Sequence, residues 1–344
     1  MNILIKNMFF GENDHTYCEL TTKNDYEQNK ICCKCKILMR DIIVVKNINF
    51  DNGLSLSLCE KCGYIKQTRS LSDVYLKKHF LKKWLSKVKR LFIEDNSVYL
   101  ELEKYFIYYK KMKVLDIGCG NGDKLLSFYN NNHDVYGVEP SINRVKEALF
   151  RIKDLKIENN FAEPYLIKNE VKFDIVIIYN VLQFVKDPFF LLELISKNLT
   201  DGGVVYIRAQ KYSYSNFYYL ALSGLIRSYL SLHCMKEFIL RNNFEILKFV
   251  DDPFTLILRK SEKKSKNYKN INKFRKISIN DIKIYFEKTI FTPENMSSRK
   301  ILIEENRKID NQLAKREIEM YILSKKELPL ALIFENDKFP VLLK

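Results

Sequence analysis

The stretch Lys113-Val-Leu-Asp-Ile-Gly-Cys-Gly-Asn-Gly-Asp123 is a short apolar run that breaks into three alternate glycines. Asp134-Val-Tyr-Gly-Val-Glu-Pro140 is a second apolar run, and it ends in a carboxylate. Together they spell a buried strand, a tight glycine turn, a helix and a second strand tipped by Glu139, the first unit of a nucleotide-binding α/β fold. Glycine has no Cβ and tolerates positive φ, so a ligand's polar head comes close to the backbone at Gly118, Gly120 and Gly122. Glu139 stands 17 residues past Gly122. A carboxylate there suits a ribose, because it accepts hydrogen bonds from both the 2′ and 3′ hydroxyls.

The glycine spacing narrows the nucleotide. A dinucleotide fingerprint reads G-x-G-x-x-G, with a pyrophosphate on the helix N-terminus. Here the pattern is D-x-G-x-G-x-G, and Asp123 stands where the third glycine would fall. An added anion is unfavourable beside a pyrophosphate, whereas Asp116 suits a ligand with a positive group. These residues resemble the class I S-adenosylmethionine-dependent methyltransferases. The resemblance implies an α/β fold, a Rossmann-like seven-stranded methyltransferase sheet, with Asp116, Gly118, Gly120, Gly122 and Glu139 binding S-adenosylmethionine.

The resemblance continues in order along the chain. Phe161-Ala162-Glu163 stands where the family places its adenine-contacting loop, which implies cofactor contacts for Ala162 and Glu163. Phe173-Asp-Ile-Val-Ile-Ile-Tyr179 is a nearly continuous apolar run, as expected of a parallel strand covered on both faces. A proline-started helix, the turn Thr200-Asp-Gly-Gly203, a strand over Val204–Arg208 and a closing antiparallel pair over Phe244–Val250 and Phe254–Arg259 follow, so the resemblance covers about residues 95 to 260. The loop after the fourth strand departs from it. Where many relatives read H-V-L-E-H, this chain has Asn180-Val-Leu-Gln-Phe184, without an ionisable group. Asn180 suits either a cofactor contact or a polar strand-end cap.

Cysteine spacing carries the second signal. Cys32-Cys-Lys-Cys35 and Cys59-Glu-Lys-Cys62 are two C-x-x-C pairs whose thiolates suit a tetrahedral zinc ion. Four thiolates leave no open position for water, so Zn²⁺ there is structural, with Cys33 as a spare ligand. Cys18, Cys119 and Cys234 stand alone and read as packing residues. A cysteine-knuckle lobe ahead of such a core resembles a bacterial group of methyltransferases with an N-terminal zinc-binding domain that act on nucleotide-linked sugars or surface glycans. Residues 261 to 344 contain no glycine, so the further glycine-turn domain of the sugar C-methyltransferases in that group is missing or replaced.

The expected organisation is a zinc-binding lobe over 1–75, an amphipathic basic helix over 76–94, the methyltransferase domain over 95–260, and a basic linker with an α+β extension over 261–344. The 344-residue chain carries a net charge of +16, of which only +3 lies in residues 111–260. Lys77 to Arg90 holds seven basic residues and no acid, with apolar residues at helical spacing. Such flanks suit RNA, an anionic membrane surface or phosphorylated substrates, and they also follow from the lysine-rich composition of an AT-rich genome. Leu332 to Leu342 suggests a terminal hairpin. No apolar run reaches a membrane span and the first residues are too quickly polar for a signal peptide, so the expectation is a cytoplasmic protein.

For chemistry, His233 is the candidate catalytic residue, because the loop after strand 4 offers no base. The aromatic run Tyr212 to Tyr219 suits stacking on a sugar ring. The expected function is in-line methyl transfer to a sugar or nucleotide-linked glycan precursor, a small-molecule or glycan substrate that is phosphorylated in some of these precursors. The alternatives are an RNA methyltransferase and a non-catalytic binding module.

Overall fold

The computed structural model describes residues 5–6, 20–21, 26–47, 50–74, 94–106, 110–209, 226–251, 253–261, 318–323, 329–333 and 341–342. The amphipathic stretch over 77–90, the aromatic run over 212–219, Cys18 and the basic linker over 262–276 lie outside the described residues. The N-terminal lobe contains β1 (Tyr26–Gln28), β2 (Arg40–Asn47), β3 (Phe50–Leu58), β4 (Ile65–Gln67) and β5 (Arg69–Leu71). β2, β3 and β4 form an antiparallel meander, and β1 pairs with β5.

The first half of the core runs α1 (Ser97–Leu102), β6 (Lys113–Ile117), α2 (Asp123–Asn130), β7 (Asp134–Val138), α3 (Ile142–Arg151), β8 (Lys156–Glu158) and α4 (Ala162–Lys168). The second half runs β9 (Phe173–Tyr179), α5 (Pro188–Asn198), β10 (Leu199–Ala209), β11 (Ser228–Tyr229), α6 (Leu232–Arg241), β12 (Phe244–Val250) and β13 (Phe254–Lys260). Seven strands form one sheet in the order β8-β7-β6-β9-β10-β13-β12. The first five are parallel, and β13 joins β10 and β12 antiparallel. The strand order reverses between β6 and β9, the crevice where open α/β sheets bind ligands.

Local chemistry sets the element ends. Val114 to Ile117 and Ile175 to Ile178 are buried, as a sheet covered on both faces requires. Asp187 caps α5 by accepting from the Phe189 and Phe190 N–H groups, with Pro188 at the first helical position where no N–H is needed. Ser231 caps α6 by accepting from Cys234 N. The strand expected over Val204–Arg208 instead begins at Leu199, and the turn residues Asp201-Gly-Gly203 lie within it. An irregularity in the β9–β10 register absorbs them, and Gly202 takes φ +76° with nothing within 4 Å of where a Cβ would lie.

The lobe is built onto the core rather than tethered to it. β11 pairs antiparallel with β4, so a segment from the core edges the lobe's sheet. β14 (Ile318–Leu323) pairs with β2, followed by β15 (Pro329–Ile333) and β16 (Val341–Leu342), giving the order β11-β4-β3-β2-β14-β15-β16. Cys32, Met39, Cys59, Cys62 and Tyr64 share one buried cluster with Phe189, Leu230, Leu232, Cys234 and Met235. Lys34 Nζ donates to the Cys234 carbonyl at 2.8 Å. Among the described residues no helix is long and apolar enough to cross a membrane.

Tyr64 is fully buried and meets the Phe189 ring edge-on at a 5.2 Å centroid distance. Tyr64→Ala removes that ring from the junction and is expected to lower stability by about 3–5 kcal/mol. Urea unfolding followed by circular dichroism reads the loss as a lower midpoint.

Candidate functional site

The site begins with a turn that no side-chain-bearing residue adopts easily. Gly118, Gly120 and Gly122 have φ of +70°, +58° and +82°. A Cβ on Gly118 would lie 2.6 Å from Val181 Cγ2, and one on Gly120 would lie 3.2 Å from Arg144 Nη1. The turn is tied to β7 through Gly118 N, which donates to the Val138 carbonyl at 2.8 Å. Glu139 closes the arrangement. Its Oε2 accepts from Gly120 N at 3.0 Å and its Oε1 from Ser141 N at 2.8 Å. Each oxygen keeps a second acceptor position for a ligand hydroxyl. Burial raises the Glu139 pKa, while Arg144 and the two backbone donors oppose the shift.

Asp116 sits at the C-terminal end of β6, 2 % exposed, and its Oδ1 has no hydrogen-bond partner. Burial pushes its carboxyl up to about 7, and Glu139 adds to that, while Lys124 pulls the other way. An orphaned buried acceptor of this kind fits a cationic or donor group of a ligand. Lys124 itself pairs with Asp95 at 3.1 Å and lies 3.9 Å from the Tyr179 ring centroid. Neither Lys124 nor Arg144 belongs to a pattern readable in the sequence, since only the fold brings them to the turn. Asp123 differs from the expectation that it stands as an added anion beside the turn. It is ion-paired with Arg151 and so does not present an uncompensated anion. The exclusion of a pyrophosphate therefore rests on Asp116 and the glycine spacing, not on Asp123.

Ala162 and Glu163 form the first turn of α4 instead of a loop, because Pro164 is tolerated at a helix start and an acid there meets the helix dipole favourably. Burial raises the pKa of Glu163. Asn180 is exposed at the end of β9 with φ +56°, and its N–H donates to the Arg208 carbonyl at 2.8 Å. The left-handed conformation there is one that asparagine tolerates well. Gln183 went unremarked as a ligand in the sequence. It is 1 % exposed with both side-chain amide atoms unpartnered, in the loop that follows β9. His233 is half-buried at the second position of α6, the helix whose start packs on the cysteine lobe.

The four cysteines converge. Sulfur atoms of Cys32, Cys35, Cys59 and Cys62 all lie within 4.8 Å of one another. Both knuckles repeat one backbone design. Lys36 N donates to Cys32 O at 2.9 Å and Gly63 N to Cys59 O at 2.8 Å, with Lys36 and Gly63 both left-handed. The Cys62 thiol at 3.8 Å draws the Cys32 pKa down to about 5, and Cys62 is raised in turn. Cys33 stands apart, its thiol pushed up to about 12 by burial, so it is a poor metal ligand. Cys119 and Cys234 are buried with raised thiol pKa values, which makes them inert packing groups.

Residues 77–248 match a family model described as a methyltransferase domain. Over 100 residues the chain is 32 % identical to the ubiquinone biosynthesis O-methyltransferase of Pelagibacter ubique, covering 28 % of this chain and 42 % of that protein. Over 126 residues it is 26 % identical to the corresponding protein of Hydrogenovibrio crunogenus, covering 36 % of this chain and 52 % of that one. The chain thus spans about half or less of the length of these relatives. Among solved structures, magnesium protoporphyrin IX methyltransferase from Synechocystis, with S-adenosylhomocysteine bound, superposes with a TM-score of 0.43 at 15 % identity, over 55 % of this chain and 98 % of that one.

The buried carboxyl of Asp116 couples the site to stability. Its folded pKa lies above the unfolded value of 3.8, so between the two the folded state holds a proton that the unfolded state has lost. Stability therefore falls as pH rises from about 4 through about 7. Asp116→Asn removes that loss and is expected to be roughly 3–5 kcal/mol more stable than the wild type at pH 8, with the advantage vanishing near pH 4. Scanning calorimetry at the two pH values checks it.

Proposed function

The chain belongs to the methyltransferase-domain family, whose model covers half its length, and on that premise we propose that it transfers a methyl group from S-adenosylmethionine to a sugar or nucleotide-linked glycan precursor. The observation that carries the cofactor half of this reading is the Glu139 carboxylate, fixed by Gly120 N and Ser141 N with acceptor capacity left for two ribose hydroxyls. Asp116, buried and orphaned, fits the positive end of the same ligand. The cysteine lobe packed on the core supports the glycan half, through its likeness to the bacterial group with an N-terminal zinc-binding domain.

The cofactor supplies a methyl group already activated on a sulfonium. What remains for the protein is to hold the acceptor in line and to exclude water. Gly118 and Gly120 let the backbone approach the bound amino acid moiety, and Glu139 grips the ribose. Ala162 and Glu163 at the start of α4 stand beside the base, and Asn180 closes the end of β9. His233 is our candidate to take the proton of an acceptor hydroxyl, since Asn180 to Phe184 contains no base. An oxygen of a ubiquinone precursor is the second acceptor reading, favoured by the two relatives named as ubiquinone biosynthesis O-methyltransferases. Incubation with a panel of sugar nucleotides and ubiquinone precursors, followed by mass spectrometry, separates the two.

Zinc is assigned to the four-cysteine cluster. A Zn–S bond of about 2.3 Å in a tetrahedron places neighbouring sulfurs about 3.8 Å apart, and Cys32 and Cys62 sulfurs stand 3.8 Å apart. Four thiolates complete the shell, so the metal staples the lobe and takes no part in the reaction. Metal analysis is expected to find one zinc per chain, lost in Cys59→Ser. For the cofactor, Glu139→Ala is expected to weaken S-adenosylmethionine binding by about 10- to 100-fold, the cost of losing hydrogen bonds to a charged group. Calorimetric titration reads it, and unchanged affinity would remove the cofactor assignment.

A further inference from the structure

A second polar recess lies where the lobe meets the loop after β9, apart from the glycine turn. We propose that this recess, centred on Lys66, binds a phosphate group of the methyl acceptor. The acceptor role rests on the methyl-transfer reading above, and the closing experiment tells the failure of one from the failure of the other.

Lys66, Thr68 and Ser70 alternate along β4 and into β5, so they face one side and line the recess together. Lys186 from the loop after β9 and Arg227 just before β11 line it from the core. Lys66 is 6 % exposed and lines the recess, with the charges of Cys33, Glu27, Cys32 and Asp187 acting on its ammonium. Burial is the largest influence on its pKa, which is lowered. The two other cations are held in place by acids. Arg227 contacts Asp73 at 2.6 Å and Glu27 at 3.5 Å, and Lys186 contacts Glu27 at 2.7 Å.

Charge decides the ligand class. Three cations line the recess against the single carboxylate of Glu27. Asp73 stands outside that lining, with a side chain 63 % exposed and its charge screened by water. Asp73 also pairs with Arg227 and Lys186, so the three cations and two acids leave a net positive charge of about +1, which favours an anion such as phosphate. Two hydroxyl donors, from Thr68 and Ser70, add to the ammonium and guanidinium donors.

Position ties the recess to the reaction. Arg227 N donates to the Gln183 carbonyl at 2.7 Å, and Gln67 N donates to the Arg227 carbonyl at 2.8 Å. The lobe strand bearing Lys66 is thereby fixed to the loop at the C-terminal edge of the parallel sheet, where open α/β sheets bind their ligands. The unpartnered amide of Gln183 sits in the same loop. A phosphate held at Lys66 anchors the acceptor from the lobe side and leaves its reacting group to the crevice.

The test is calorimetric titration of the full chain with inorganic phosphate at constant ionic strength, beside S-adenosylmethionine. Wild type is expected to bind phosphate, and Lys66→Met to bind it about tenfold or more weakly with S-adenosylmethionine affinity unchanged. Lys186→Met, altering a half-exposed side chain, is expected to weaken phosphate in the same direction and guards against misfolding of the first variant. No phosphate binding by wild type, equal binding by both variants, or equal binding of acetate would overturn the proposal. Lys66-dependent phosphate binding without any S-adenosylmethionine binding would sustain the recess and remove the methyl-transfer reading.

Discussion

The carboxylate of Glu139 is the joint on which the crevice depends. It sits at the tip of one strand and accepts from the backbone of the turn after its neighbour, so the ends of β6 and β7 are tied together at the crevice. Gly120 N points at it only because Gly120 is left-handed, at φ +58°. A side chain there would meet Arg144, the cation that offsets the burial of the same carboxylate. Conformation, packing and charge at three positions are thus one constraint.

That constraint leaves the site with unsatisfied groups. Asp116 Oδ1 and the Gln183 amide are buried and unpartnered. Proteins rarely tolerate such atoms without a use for them. Both lie in segments that follow or end the central parallel strands, the edge that the topology reserves for ligands. The destabilisation they carry is the mark of a surface shaped for something other than the chain itself.

The lobe gives the molecule its second distinctive property. Its four cysteine sulfurs lie within 4.8 Å of one another, a compact donor set between its two knuckles. Its outer elements do not stop at the staple. β4 pairs with β11 and the knuckles pack on α6, so the lobe is joined to the core. Lys66 is carried to the core by that pairing.

Much of this was legible in the residues. The glycine spacing and the apolar runs of period one or two fix the strands β6, β7, β9, β12 and β13, because burial on both faces leaves no other pattern. The two C-x-x-C pairs name their own partners, since short knuckles hold thiolates on one side. Contacts between distant segments were not legible. Arg151 neutralising Asp123, Lys124 beside Asp116, and Lys66 beside Arg227 join residues 28, 8 and 161 positions apart. Local pattern reports the face a residue presents, whereas partners across the fold follow from how strands order in the sheet. The sequence by itself determined the nucleoside crevice and the cysteine cluster. The tertiary structure alone decided that the lobe's strand adds to the core and brings Lys66 there, because strand pairing between residues 162 and 164 positions apart is set by shape and burial, not by any local signal.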